Sequence, residues 1–219
     1  MKIGVFDSGR GGHIIAERLQ ILFPEYTFIV ADDAAHVPYG SRSSQEIYQL
    51  AKAALAPLFA EQCDVIVLAC NTLTAAAVDQ FRLEFPEQTF IGFEPMVKPA
   101  SLRTKTGVIA ILATPATIAS DRYKKLKDKW ARDIRVIEPD CSNWAEQIEH
   151  GHDVDIKSVL TPLLEEGTDQ IVLACTHYLA LEDSIAELSA GKAEVLEPTA
   201  AIAERIRYFA TNASTAATN

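Results

Sequence analysis

Short apolar runs, separated by segments of helical period, organise this chain. The runs cover residues 2–6, 27–30, 65–68, 89–92, 108–112, 134–137, 171–173 and 194–196. They are nearly continuous in Val, Ile, Leu and Phe rather than alternating with polar residues, as strands are when both faces of their sheet are covered. Between them, segments such as 44–61 and 75–84 repeat apolar positions at helical spacing, the first with a serine N-cap at Ser43 or Ser44. Strand and helix alternating in this way predict an α/β protein with mostly parallel, doubly wound sheets.

One string occurs twice. Asp64-Val-Ile-Val-Leu-Ala-Cys70-Asn71-Thr72 is echoed by Asp169-Gln-Ile-Val-Leu-Ala-Cys175-Thr176-His177. In each half an earlier strand ends in small polar residues, Asp7-Ser8 in the first and Thr114 in the second, at nearly the same distance before the cysteine. Reuse of buried strands does not readily repeat Asp, the apolar run and Ala-Cys-polar-polar together. The echo therefore predicts two pseudosymmetric lobes: residues 1–92 plus 200–219, and residues 93–199. The site is expected in the cleft between them. Residues 211–219 are of low complexity and read as a frayed tail.

Charge narrows the partners. A net charge of −10 without any basic run argues against nucleic acid and anionic membrane surfaces. It leaves an acidic small molecule open, since helix N-termini can hold an anion whatever the global charge. The first residues lack the pattern of a signal peptide, and the longest apolar run, about eight residues near Val65, is far too short to cross a bilayer. A cytoplasmic location is expected, with Cys63, Cys70, Cys141 and Cys175 as free thiols.

A free cysteine is most often a small buried hydrophobe, and that reading is taken for Cys63 and Cys141. Cys70 and Cys175 differ because both end a strand of the echo, where α/β sheets bind ligands. Facing halves would put one thiol on each side of a bound molecule. Inverting a carbon centre needs that arrangement, a base on one face and a proton donor on the other. A helix N-terminus lowers a thiol from its usual pKa of about 8.5, so one member is expected as thiolate and the other as thiol. Asn71-Thr72 and Thr176-His177 add hydrogen-bonding groups beside them.

Asp7-Ser8-Gly9-Arg10-Gly11-Gly12 opens a helix after the first strand but lacks both the third glycine of a dinucleotide fingerprint and a Walker lysine. Ser8 and the loop N–H groups are expected to hold a carboxylate or ammonium group. Asp7 either orients a neighbouring thiol or caps the helix. His177 stabilises the Cys175 thiolate or relays its proton. Zinc held by His177 with both cysteines is a rival reading, unsupported by any Cys-x-x-Cys pair. His13, His36, His150 and His152 read as solvated or capping residues. Pro38-Tyr39-Gly40-Ser41 reads as a turn.

Taken together, Gly4-Val5-Phe6-Asp7-Ser8-Gly9, Val37-Pro38-Tyr39-Gly40, Ala69-Cys70-Asn71-Thr72, Glu94-Pro95 with Lys98-Pro99-Ala100, and Cys175-Thr176-His177-Tyr178 resemble the glutamate racemases of the aspartate/glutamate racemase superfamily, in order and spacing from Lys2 to about Phe209. The resemblance implies an isomerase that interconverts L- and D-glutamate without pyridoxal phosphate or any other cofactor or metal, supplying D-glutamate for peptidoglycan. It implies Cys70 and Cys175 as proton donors and acceptors, with Asp7 and His177 assisting them and Glu149 behind, where Glu146 is a nearby competitor. Asp7, Ser8, Pro38, Tyr39, Gly40, Asn71, Thr72, Thr114, Thr176 and His177 become the substrate-binding positions. It leaves room for a homodimer. The chain is shorter than typical members and departs from them at Arg10, His13, Leu73-Thr74, Cys141-Ser-Asn-Trp and Leu179-Ala180, which suggests a reshaped pocket. Rival readings are an aspartate or broad-specificity racemase, a glutamate-binding relative without turnover, and a zinc or thiol-redox protein.

Overall fold

A computed structural model describes the backbone of residues 1–216 and side chains through residue 211. Eight strands carry the two sheets: β1 (Lys2–Asp7), β2 (Thr27–Asp32), β3 (Val65–Leu68), β4 (Thr89–Gly92), β5 (Val108–Ala113), β6 (Arg135–Ile137), β7 (Gln170–Ala174) and β8 (Glu194–Leu196). The α-helices between and after them are α1 (Gly11–Leu22), α2 (Ser44–Ala54), α3 (Ala56–Ala60), α4 (Asn71–Glu84), α5 (Val97–Arg103), α6 (Pro115–Ala119), α7 (Asp121–Trp130), α8 (Trp144–Glu149), α9 (Ile156–Glu165), α10 (Glu182–Ser189) and α11 (Thr199–Ala216). Short 3-10 helices cover Tyr39–Ser41 and Thr176–Leu181.

The sheets are parallel throughout, in the orders β2-β1-β3-β4 and β6-β5-β7-β8. These are the same topology, so the echoed strings occupy equivalent strands, β3 and β7. The repeated aspartates have a structural role. Asp64 accepts a hydrogen bond from Lys2 N at the start of β1 (2.7 Å), and Asp169 accepts from Lys105 N (2.6 Å) and Thr106 N (3.0 Å) just before β5. Each carboxylate ties the beginning of one central strand to the chain entering its neighbour.

Alternation along the strands explains the unbroken apolar runs. Ile3 and Val5 of β1, Val65 and Val67 of β3, Ala110 and Leu112 of β5, and Ile171 and Leu173 of β7 face one continuous core shared by both sheets. Phe6, Ile66 and Leu68 point to a second core under α2 and α4, while Ile109, Ile111 and Val172 point to a third with Tyr123 and Val97. With both faces covered, a polar residue at either parity would be buried. Helix α11 enters the shared core through Ile202, Ala203 and Ile206 beside Ile15 and Leu19 of α1.

Two local expectations change. The helical segment 44–61 is divided at Leu55, where Pro57 in the first turn of α3 cannot continue the hydrogen-bond ladder of α2. Ser43 caps α2, accepting from Glu46 N. Helix α11 continues through Ala216, across most of the segment read as a frayed tail, whose residues 217–219 lie outside the described residues.

Candidate active site

Cys70 follows β3 and is the N-cap of α4; Cys175 follows β7 and precedes the 3-10 helix Thr176–Leu181. Both sulfurs border one cavity at the carboxyl ends of the two sheets. Ser8, Pro38, Tyr39, Gly40, Asn71, Thr72, Thr114, Thr176 and His177 line it as well, with Ala145. Asp7 lies directly behind this lining, fully buried. The cavity's volume of about 20 Å³ is too small for an amino acid, so it must enlarge to admit one. Hydrogen bonds between Thr72 Oγ1 and Thr114 Oγ1 (3.0 Å) and from Thr176 Oγ1 to Asp7 Oδ2 (3.1 Å) join the two halves across it. A wider cleft of about 530 Å³, walled by residues of α2, α4, α6 and α7 together with Arg42 before α2 and Ser120 before α7, shares only Thr72 with this cavity and holds neither thiol.

The two sulfurs have unlike partners. Cys70 Sγ lies 3.4 Å from Ser8 Oγ and accepts from Leu73 N at 3.4 Å. Cys175 Sγ lies 3.8 Å from His177 Nδ1, while His177 Nε2 donates to Glu149 Oε2 at 2.7 Å. Because a carboxylate can only accept, Glu149 keeps a proton on Nε2 and, in the neutral ring, turns the Nδ1 lone pair toward Cys175. Glu149, and not Glu146, therefore stands behind the histidine. Gly9 makes room for this pair: a Cβ there would sit 2.9 Å from both Glu149 Oε2 and His177 Nε2.

The expected division into one thiolate and one thiol does not describe this closed site. Burial raises the Cys70 thiol to about 12, with the Asp7 charge adding to the rise, and the hydrogen bonds from Ser8 and Leu73 offset only part of it. Burial also pushes Cys175 up, reinforced by Cys70 and Asp7. The favourable field at the start of α4 is outweighed by the loss of water around the sulfur. Asp7 itself is raised by burial, against the opposing influence of His177 and of its hydrogen bonds from Thr176 and the loop. One of its oxygens, Oδ1, is buried without a partner.

Two N–H groups of the glycine loop go to protein carboxylates: Gly12 N donates to Asp7 Oδ2 (3.0 Å) and Arg10 N to Glu149 Oε2 (3.4 Å). Asp7 is thus both a cap on α1 and a neighbour of the thiols. Among the departures from the family pattern, Arg10, His13, Leu73, Thr74, Leu179 and Ala180 do not border the cavity. Leu73 and Leu179 are core residues, and Thr74 Oγ1 accepts from Phe93 N. Cys63 and Cys141 are buried away from the cavity. No metal-binding cluster of His, Cys, Asp or Glu occurs among the described residues. Sequence reasoning passed over Ala145, whose methyl side chain carries no chemical signal.

The raised thiols have a measurable consequence. Iodoacetamide should label Cys70 and Cys175 far more slowly in the folded protein at pH 7.5 than in urea, as read by mass spectrometry; rapid labelling of the folded protein would contradict the geometry. Folding raises Cys70 above the roughly 8.5 of an unfolded thiol. Its stabilising contribution is therefore complete below about pH 8.5 and is lost as pH climbs toward about 12.

Comparison with known proteins agrees with this architecture. A model of the Asp/Glu/hydantoin racemase family matches residues 13–206. A glutamate racemase of Roseiflexus sp. (strain RS-1) is 40% identical over 211 residues, 93% of this chain and 77% of the relative. Escherichia coli glutamate racemase, solved with L-glutamate and the activator UDP-MurNAc-Ala, superposes with a TM-score of 0.82 at 27% identity, covering 95% of this chain and 81% of that one. The Francisella tularensis glutamate racemase, solved with D-glutamate, gives 0.79 at 27% identity, covering 97% and 82%.

Proposed function

Because this chain belongs to the Asp/Glu/hydantoin racemase family, we propose that it interconverts L- and D-glutamate by proton transfer between Cys70, Cys175 and the substrate α-carbon. The observation that carries this reading is the pair of thiols bordering one cavity from equivalent strand ends. Glutamate as substrate rests on kinship with glutamate racemases, including those solved with either enantiomer.

In the proposed reaction one cysteine, as thiolate, takes the α-proton and becomes a thiol, and the electron pair of the broken C–H bond spreads into the substrate carboxylate. The opposite thiol delivers its proton to the other face of the carbon and is left as thiolate. Asn71, Thr72, Thr114 and Thr176 supply the donors that hold the carboxylate and the charge developing on it. The substrate ammonium offers the positive charge that the raised thiols lack in the closed site, so thiolate formation is coupled to binding. Asp7 with Ser8 serves Cys70, and His177 with Glu149 serves Cys175. Exclusion of water on lobe closure strengthens these interactions. D-glutamate made in this way would serve peptidoglycan assembly, and the enzyme would act in the cytoplasm.

The test is incubation of the protein with L-glutamate in heavy water. Formation of D-glutamate, with deuterium appearing at the α-carbon of the product, is expected. Racemisation without isotope exchange, or turnover of aspartate in preference to glutamate, would overturn the scheme or its substrate respectively.

A further inference from the structure

Tyr39 reaches the cavity on a loop braced by a carboxylate that does not itself border the cavity. Strand β2 ends at Asp32, and the next residue, Asp33, turns its side chain inward with only 9% of its surface exposed. Asp33 Oδ2 accepts from Tyr39 Oη at 2.7 Å, and Oδ1 lies 2.7 Å from His36 Nδ1. The backbone closes the same turn, His36 N donating to Asp33 O at 2.9 Å. His36 O in turn accepts from Arg42 Nε (3.1 Å) and Nη2 (2.9 Å), and Arg42 pairs with Glu46 in the first turn of α2. Both Asp33 oxygens are therefore committed, and the loop is pinned at positions 36, 39 and 42.

We propose that Asp33 is a positioning residue for racemisation: it clamps the Tyr39 phenol and so holds the Pro38–Tyr39–Gly40 wall of the cavity against Cys70. The inference rests on the glutamate racemase reading above. Tyr39 is 1% exposed and packed among Phe6, Ile47 and Leu73, where an unpartnered hydroxyl is costly. Burial and the Asp33 hydrogen bond both push its pKa upward, so the hydroxyl stays protonated and donates to Asp33. The phenol is thus unavailable as an acid, a base or a donor to substrate; the residue shapes the wall with its ring and main chain. Ordering that wall in advance favours substrate binding, because the loop need not be immobilised when substrate arrives.

Steady-state kinetics with L-glutamate test this. Asp33→Ala should raise KM by about tenfold while kcat changes by less than about threefold, because the wall and not the thiols is disturbed. Asp33→Asn, whose amide oxygen can still accept from the phenol, should stay within about threefold of the wild-type KM. Adding Tyr39→Phe to Asp33→Ala should cost no more than the worse single change, since each removes the same hydrogen bond. If Asp33→Ala does not fold, Tyr39→Phe alone should reproduce its rise in KM. A fall in kcat at unchanged KM, an Asp33→Asn variant as impaired as Asp33→Ala, an unchanged KM in Tyr39→Phe, or fold-changes that multiply in the double variant would each overturn the inference while leaving the racemase reading intact. A wild-type protein with no glutamate turnover would overturn both.

Discussion

Replacing either Cys70 or Cys175 by serine should reduce glutamate racemisation by roughly a thousandfold or more in both directions, the scale on which a positioned proton-transfer group contributes. Serine keeps the size and much of the hydrogen bonding of cysteine, but its hydroxyl is a far weaker acid and does not supply the base. Each direction uses both sulfurs, one to remove the proton and one to return it, so neither variant should spare one direction. Any isotope exchange left behind should be confined to one enantiomer, and to opposite enantiomers in the two variants, because a lone thiol can remove and return a proton only on its own face. Melting temperatures should stay near that of the wild type. Circular dichroism of glutamate over time and NMR of the α-proton measure these outcomes. A variant keeping more than about a tenth of wild-type racemisation would remove that sulfur from the reaction.

The second large effect is expected at a residue with no side chain. A Cβ built on Gly11 would lie 2.4 Å from Thr176 Cβ, 2.6 Å from Thr176 Oγ1 and 2.8 Å from the Thr176 carbonyl carbon. The last is backbone, which a rotamer change cannot relieve. Gly11→Ala must therefore push the start of α1 away from the segment after Cys175, breaking the Thr176–Asp7 hydrogen bond. Overpacking of this kind costs about 1–3 kcal/mol, and here it acts at the contact that closes the cavity. Activity should fall by about a hundredfold or more, a misplacement effect, with a lowered melting temperature. Wild-type kinetics in Gly11→Ala would show that the close approach is not required. Gly107, with φ of +77° and nothing near its Cβ position, is a useful control: alanine there should cost backbone strain and leave the site alone.

These residues also mark where sequence reasoning reached and where it stopped. The strands were legible because each central strand is covered on both faces, which forces an unbroken apolar run such as Val65–Leu68. The common topology of the halves was legible through the Asp64 and Asp169 echo, although the aspartates turn out to be strand clasps. Composition and motif placed Cys70, Cys175 and the polar residues beside them at strand ends, and the structure gathers them around one cavity. The state of the thiols was not legible. A helix start predicts a lowered pKa, and only three-dimensional burial reveals that desolvation outweighs it. Nor could the glycine loop disclose that two of its N–H groups, those of Arg10 and Gly12, serve Glu149 and Asp7, since loop composition does not say which carboxylate will face it. Asp33 was invisible for a related reason: its partners His36 and Tyr39 are close in sequence, yet nothing in their order shows that both bond the same carboxylate.

The unlike surroundings of the two sulfurs bear on how the forward and reverse reactions can differ. Enantiomers have equal free energy in achiral solvent, so the equilibrium lies at equal amounts of each, and kcat/KM must be the same starting from either hand. A hydroxyl and an aspartate carboxyl group next to one sulfur, and an imidazole backed by a glutamate carboxyl group next to the other, therefore cannot make the catalyst a better converter in one direction at low concentration. Their asymmetry can emerge only at saturation, where one enantiomer would be held more tightly and turned over more slowly in the same proportion.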